Sequence, residues 1–135
     1  METPTLKDIG HLTKFNGSNF QRWKCGLRLT LEHHQLIDII DGTETKPTEV
    51  RNNDNVVTNA AQIQRWKERD VAARNYLFAT TEDDLRDTLC TATTAADMYE
   101  RIRNQHARTA ADNRLILLQQ FTEYYFNKAI TSQAM

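Results

Sequence analysis

The chain has 135 residues, a formal net charge of −1 and 39% hydrophobic residues, values that are ordinary for one globular domain. Its 4 Gly and 2 Pro leave few turns for an all-β fold, and its charge is the opposite of that expected for a domain that binds nucleic acid by itself. The sequence has neither a signal-peptide core nor an apolar run of the ~18 residues that a membrane span needs. We therefore expect a helical protein of the cytoplasm with no membrane contact.

The first informative segment is a turn rich in aromatic residues. Residues 1–14 are polar and are interpreted as a flexible N-terminal arm. After them, Gly17 supplies the backbone freedom of a sharp turn, and Ser18 with Gln21 has the spacing of a capping box. Phe15 precedes this cap closely enough to fold back onto the first helical turn. The segment therefore predicts a helix start fixed by apolar contacts.

The first helix is predicted over residues 19–34, because Phe20, Trp23, Leu27 and Leu31 recur at helical spacing. Three basic residues, Arg22, Lys24 and Arg28, fall away from this stripe. They are typical of a solvated helix face, but a charged face can also be an interface. The apolar run at residues 36–40 fits either a short helix or a strand, and we favour the helix.

A long loop is predicted next, over residues 43–55, followed by a second long helix from residue 58 or 59 to about 78. Ile63, Trp66, Ala73 and Leu77 form its inward face. Asp70 lies near that face without an acidic partner. We therefore interpret Asp70 as a buried hydrogen-bonding residue and not as a catalytic acid.

Two Thr-Thr pairs then predict helix starts at Thr81 and Thr94, each followed by acidic residues that suit a helix N-terminus. The first of these helices ends near residue 90, and the second near residue 105 or 106. A last helix is predicted from about residue 109, with a break at residues 127–130. Residues 131–135 are interpreted as the truncated start of a further helix.

Chemical motifs are absent from the sequence. Cys25 and Cys90 have no metal-binding spacing and are expected to be free thiols, and the adjacent pair His33 and His34 points in two directions on a helix. No phosphate-binding loop, nucleophile elbow or zinc-protease pattern occurs. We therefore predict no enzyme activity, no cofactor, no metal and no small-molecule substrate.

The order of the motifs resembles the Gag polyprotein of copia-type LTR retrotransposons. The resemblance is carried by Phe-x-Gly-x-x-Phe-x-x-Trp at residues 15–23, the apolar run with Asp41 and Gly42, Trp66, the segment 94–99, and Asn113-Arg114-Leu115. It implies an all-α bundle of five to six helices over residues 15–130, like the N-terminal lobe of a capsid. It also implies that copies of the chain self-assemble into a virus-like particle around the element's RNA, which downstream sequence would bind. A domesticated adaptor that holds a host peptide or helix in an apolar groove is the alternative.

Two sets of residues follow from these interpretations. The predicted structural core consists of Phe15, Gly17, Phe20, Trp23, Leu27, Trp66, Leu77, Leu85, Leu89, Tyr99, Ile102, Leu118 and Phe121. The predicted self-assembly surface consists of Arg22, Lys24, Arg28 and Tyr124. Tyr124 is included because the run Tyr124, Tyr125 and Phe126 is too broad for one helical stripe.

Overall fold

The computed structural model describes residues 9–133. Within them lie α1 (Phe20–His33), α2 (Ile37–Ile40), α3 (Ala60–Ala79), a 3-10 helix (Asp83–Thr88) and α4 (Ala95–Gln133). This part of the chain contains no β-strand, so the predicted all-α class is confirmed. The short apolar run at residues 36–40 is helical, as favoured, and the predicted bounds of α1 and α3 agree with the structure to within one or two residues.

One core joins α1, α2, α3 and the first turns of α4. Trp23 is 1% exposed, and its ring lies between Phe15 at 5.4 Å and Tyr99 at 6.1 Å. The predicted core residues that are buried are Phe15, Gly17, Phe20, Trp23, Leu27, Leu77, Leu89, Tyr99 and Ile102. Leu85 is half-buried against this cluster. The core therefore forms where the one-sided apolar stripes of the helices meet.

The start of α1 does not use the predicted capping box. Residue Asn19 precedes the helix, and its side chain accepts a hydrogen bond from the amide of Asn16 at 2.9 Å. The Asn16 side chain in turn accepts from the amide of Ser18 at 3.0 Å and from the Ser18 hydroxyl at 3.0 Å. Two asparagines thus close the turn, because their short amides reach nearby backbone groups more directly than Gln21 can. Gly17 lies within it at a φ of +100°.

The Thr81 helix start was also predicted wrongly. Thr81 is 1% exposed and donates its hydroxyl to the Leu77 carbonyl at 2.8 Å, and the 3-10 helix that follows has no side-chain cap. Neighbouring Thr80 accepts a hydrogen bond from the Trp23 indole at 3.0 Å. The Phe15 amide donates to the Thr80 carbonyl at 2.8 Å. This threonine pair therefore ties the aromatic turn to the end of α3.

The last helix is longer than predicted. The predicted break near residues 106–109 is wrong, because α4 runs without interruption from Ala95 to Gln133. The predicted break at residues 127–130 and the separate helix from residue 131 are wrong for the same reason. Nothing between residues 95 and 133 is Gly or Pro, so the backbone has no cause to leave the helix. Consequently Leu118 and Phe121 are not core residues: they are 61% and 59% exposed.

The predicted N-terminal arm is described only in part. Residues 1–8 and 134–135 lie outside the described residues. Ile9 packs against the core, and Leu12 approaches Gly26 of α1. The described end of the arm therefore contacts the bundle.

Candidate functional site

The most distinctive surface begins where α4 leaves the bundle. The His106 ring stacks on Phe20 at 4.9 Å, and Thr109 lies beside Gly17. Beyond these contacts, every residue from 111 to 130 is exposed. We call residues 109–133 the distal half of α4. Over residues 111–130 it is a helix without tertiary cover from the described part of the chain.

This exposed helix is unusually apolar. Its exposed large side chains are Leu115, Ile116, Leu117, Leu118, Phe121, Tyr124, Tyr125, Phe126 and Ile130. The aromatic rings pack on one another along the helix, with Phe121 and Tyr125 centred 4.5 Å apart and Tyr124 and Tyr125 5.5 Å apart. Contiguous exposed apolar surface of this kind marks a site of protein contact. A helix with apolar residues around most of its circumference is normally buried.

The charges of the distal half are few and balanced. Asp112, Arg114, Glu123 and Lys128 form no ion pair with any described residue. By contrast, most arginines of the bundle are engaged, including Arg69 with Glu44 and Arg101 with Asp97 at 3.1 Å. The distal half therefore keeps its charged groups available for a partner.

The predicted basic surface on α1 is partly used within the chain. The guanidinium of Arg28 makes two hydrogen bonds to the Asp41 carboxylate, at 2.9 and 3.1 Å, and this pairing raises the pKa of Arg28. The Lys24 ammonium lies 5.6 Å from the centre of the Phe20 ring. Arg22 is exposed. Tyr124, the fourth predicted residue, is 61% exposed on a different element, the distal half.

Asp70 has the structural role predicted for it. It is 2% exposed, accepts a hydrogen bond from the Ala95 amide at 2.8 Å and pairs with Arg74 at 2.9 Å. The carboxylate of α3 thus caps the first residue of α4, where the helix dipole favours negative charge. Thr94 adds the predicted cap by accepting from the Asp97 amide at 3.1 Å. These bonds fix where α4 starts and hence the direction in which its distal half leaves the bundle.

Trp66 is not the core anchor that its position in α3 predicted. It is half-buried, and its indole donates to the Glu44 carbonyl at 3.3 Å, so the loop before α3 covers it in place of the core. The loop and α3 enclose a groove of about 390 Å³, which is lined by Glu44, Thr45, Pro47, Gln62, Arg65, Trp66 and Arg69. Most of these side chains are polar or charged. The groove therefore lacks the apolar lining that the adaptor alternative needs.

The described residues bring few chemically reactive side chains together. They contain no group of three or more His, Cys, Asp or Glu side chains placed to hold a metal ion. No helix among the described residues, including α4, is both long enough and apolar enough to cross a membrane. Cys25 and Cys90 are exposed free thiols. Of the exposed surface on the distal half of α4, the predicted self-assembly residues included only Tyr124. The absence of Gly and Pro from residues 95–133 was the sequence signal that could have revealed one continuous helix.

The described chain is thus a helical bundle from which one exposed, largely apolar helix extends. Residues 27–133 match the gag-polypeptide family of LTR copia-type elements, and the chain belongs to this family. The suspected family is confirmed.

Two relatives from Arabidopsis thaliana extend the match. The chain is 22% identical over 100 residues to the retrovirus-related Pol polyprotein from transposon RE1, and 21% identical over 100 residues to that from transposon RE2. Each match covers 74% of this chain and 7% of the relative. The chain thus spans a small part of the length of these polyproteins. No solved structure matches it significantly.

Proposed function

We propose that the chain is a structural Gag domain that self-assembles into the shell of a virus-like particle, and that the distal half of α4 is its principal contact surface. The observation that carries the proposal is the exposed apolar helix of residues 111–130. Family membership supplies the class of protein, and the bare helix supplies a place for contact. The role is non-catalytic and belongs to the cytoplasm, as proposed from the sequence.

The proposed shell encloses the element's RNA without this domain binding it. The net charge of −1 and the internal pairing of Arg28, Arg69 and Arg101 leave no dense basic field for phosphates. Contact with RNA therefore belongs to downstream sequence. Tyr124 is the member of the predicted self-assembly surface that lies within the proposed one, whereas Arg22, Lys24 and Arg28 provide at most a second contact on α1.

A matched pair of substitutions tests the proposal. Leu118 and Leu29 are similarly exposed, at 61% and 65%, but Leu29 lies on α1 of the bundle. We expect Leu118→Glu to abolish association and Leu29→Glu to leave it unchanged, as measured by sedimentation velocity over rising concentration and by electron microscopy of the particles. Repeated weak contacts reinforce one another, so the isolated chain should form small oligomers before any shell.

The outcomes separate the two candidate functions. Association lost only in Leu118→Glu supports the shell. A wild-type chain that stays monomeric at every concentration, and that forms no particles when expressed in the complete Gag, contradicts it and favours the domesticated adaptor. Equal loss in both variants places the contact elsewhere and contradicts the assignment of the surface.

A further inference from the structure

The distal half of α4 carries a heptad pattern, which is an observation independent of the family to which the chain belongs. Small or apolar positions alternate at steps of three and four residues and form a seam consisting of Ala111, Leu115, Leu118, Thr122, Tyr125 and Ala129. The opposite side of the helix carries an amide at every seventh position, in Asn113, Gln120 and Asn127. An apolar seam backed by a polar stripe is typical of a helix that pairs with another helix.

Thr122 fits this seam despite its hydroxyl. Its Oγ1 donates to the Leu118 carbonyl at 2.9 Å, so the polar group is satisfied within the helix. The methyl group is then available for packing against a partner. In the heptad notation abcdefg, Thr122 occupies position a, where a β-branched residue favours a parallel two-stranded pair.

The charges of the distal half select the orientation of that partner. On the helical wheel, Asp112 borders the seam on one flank, and Arg114 and Lys128 border it on the other. Glu123 lies on the side of Asp112 but farther round the helix, away from the seam. In a parallel pair related by a two-fold axis along the helices, the acidic flank of each copy faces the basic flank of the other. In an antiparallel pair with full overlap of the seam, Arg114 of one copy lies near Lys128 of the other, which is repulsive.

We infer that the distal half of α4 packs in parallel, in register, against the same segment of a second copy of this chain. The seam residues meet their own counterparts, and Phe121 of one copy lies beside Phe126 of the other on the flanks. Asp112, Arg114 and Lys128, which border the seam, form no ion pair with any described residue and are available for this contact. The inference rests on the proposed assembly function and specifies its partner and geometry.

Disulfide trapping tests the register directly. The free and exposed Cys25 and Cys90 are first replaced by Ser, and one cysteine is then introduced at Leu115 on the seam. In a parallel pair the two Leu115→Cys residues face each other and form a disulfide under mild oxidation. Asn113→Cys is the matched control, because it is equally exposed but lies on the opposite side of the helix. We expect efficient linking of the first variant and little linking of the second.

An antiparallel pair gives a different pattern. In it the two Leu115 positions are far apart, and Leu115→Cys links only to Tyr125→Cys in a mixture of the two variants. That pattern, or equal linking of Leu115→Cys and Asn113→Cys, overturns the inference. Neither result bears on whether the chain assembles, which the Leu118→Glu comparison decides separately.

A charge substitution provides a second readout that does not depend on cysteine. In a parallel pair, Arg114→Glu replaces the base nearest to Asp112 of the second copy by an acid, so association should weaken about two- to fivefold, the range that exposed ion pairs give. In an antiparallel pair the same change replaces a repulsion with Lys128 by an attraction, so association should strengthen. A stronger association of Arg114→Glu, measured by sedimentation equilibrium, therefore contradicts the parallel arrangement.

Discussion

The bundle and the distal half of α4 are both helical, but they bury their apolar residues differently. In the bundle, α1 carries its apolar residues on one stripe, and Trp23 is 1% exposed. In the distal half, apolar residues cover most of the helix, and Phe121 is 59% exposed. Periodicity therefore identifies a helix, whereas the width of its apolar surface indicates whether one chain can cover that surface.

The largest expected effect is on the bundle. Trp23→Ala removes a ring that packs on Phe15 and Tyr99 and also donates to Thr80. We expect a loss of about 3–5 kcal/mol in the free energy of unfolding, as for buried aromatic residues in general. Phe121→Ala is the control and should leave the stability of the dilute monomer almost unchanged. Thermal and urea unfolding of both variants measure the difference, and comparable losses would abolish the distinction between the two regions.

The junction between the regions is expected to respond next. Asp70→Ala removes the cap on Ala95 and leaves the Arg74 guanidinium without its carboxylate. We expect a loss of about 2–3 kcal/mol, because the hydrogen bonds of a buried charged group are lost together. Asp97→Ala, which breaks the more exposed pair with Arg101, should cost less than about 1 kcal/mol. Equal losses in the free energy of unfolding for Asp70→Ala and Asp97→Ala, measured in urea, would show that burial does not strengthen the contacts of Asp70.

A smaller effect is expected at the aromatic turn. Gly17 has a φ of +100°, where a Cβ is strained by about 1–2 kcal/mol, although the neighbouring Thr109 and Leu85 leave room for it. Gly17→Ala should therefore destabilise the bundle by about that amount. Gly26→Ala is the control, because Gly26 lies inside α1 and meets only the flexible end of Leu12. A Gly17→Ala protein as stable as wild type in thermal unfolding would show that the turn can relax.

The smallest expected effect concerns RNA. Neither region carries a concentrated basic field, since acids alternate with bases in the bundle and the charges of the distal half sum to zero. Fluorescence anisotropy with labelled single-stranded RNA should detect only weak binding at physiological salt, with a shallow dependence on salt concentration. Micromolar affinity with a steep salt dependence would contradict the assignment of RNA contact to other sequence.

Much of the bundle could be predicted from the sequence, because its stripes are one-sided and its helices have clear limits. Trp23, Leu27 and Leu77 followed from spacing alone, and Asp70 followed from its lack of an acidic partner. Trp66 was misplaced because spacing cannot reveal that a preceding loop covers the ring.

The distal half was harder to predict. Leu118 and Phe121 have the periodicity of core residues, and nothing in that pattern says that the surface they need lies outside the bundle. The predicted cap at Ser18 failed for a different reason, because Asn16 and Asn19 close the preceding turn and no side chain caps the start of α1.

The central claim is that the distal half of α4, and not the bundle, is the surface through which copies of the chain meet. Hydrogen exchange measured by mass spectrometry at low and high protein concentration tests it most directly. A helix without tertiary packing exchanges readily, so residues 109–133 should be weakly protected when dilute and should gain protection as the concentration rises. The amides of α1 and α3 should be protected equally at both concentrations. Protection that rises in α1 beside Arg22 while residues 109–133 stay unchanged would contradict the account.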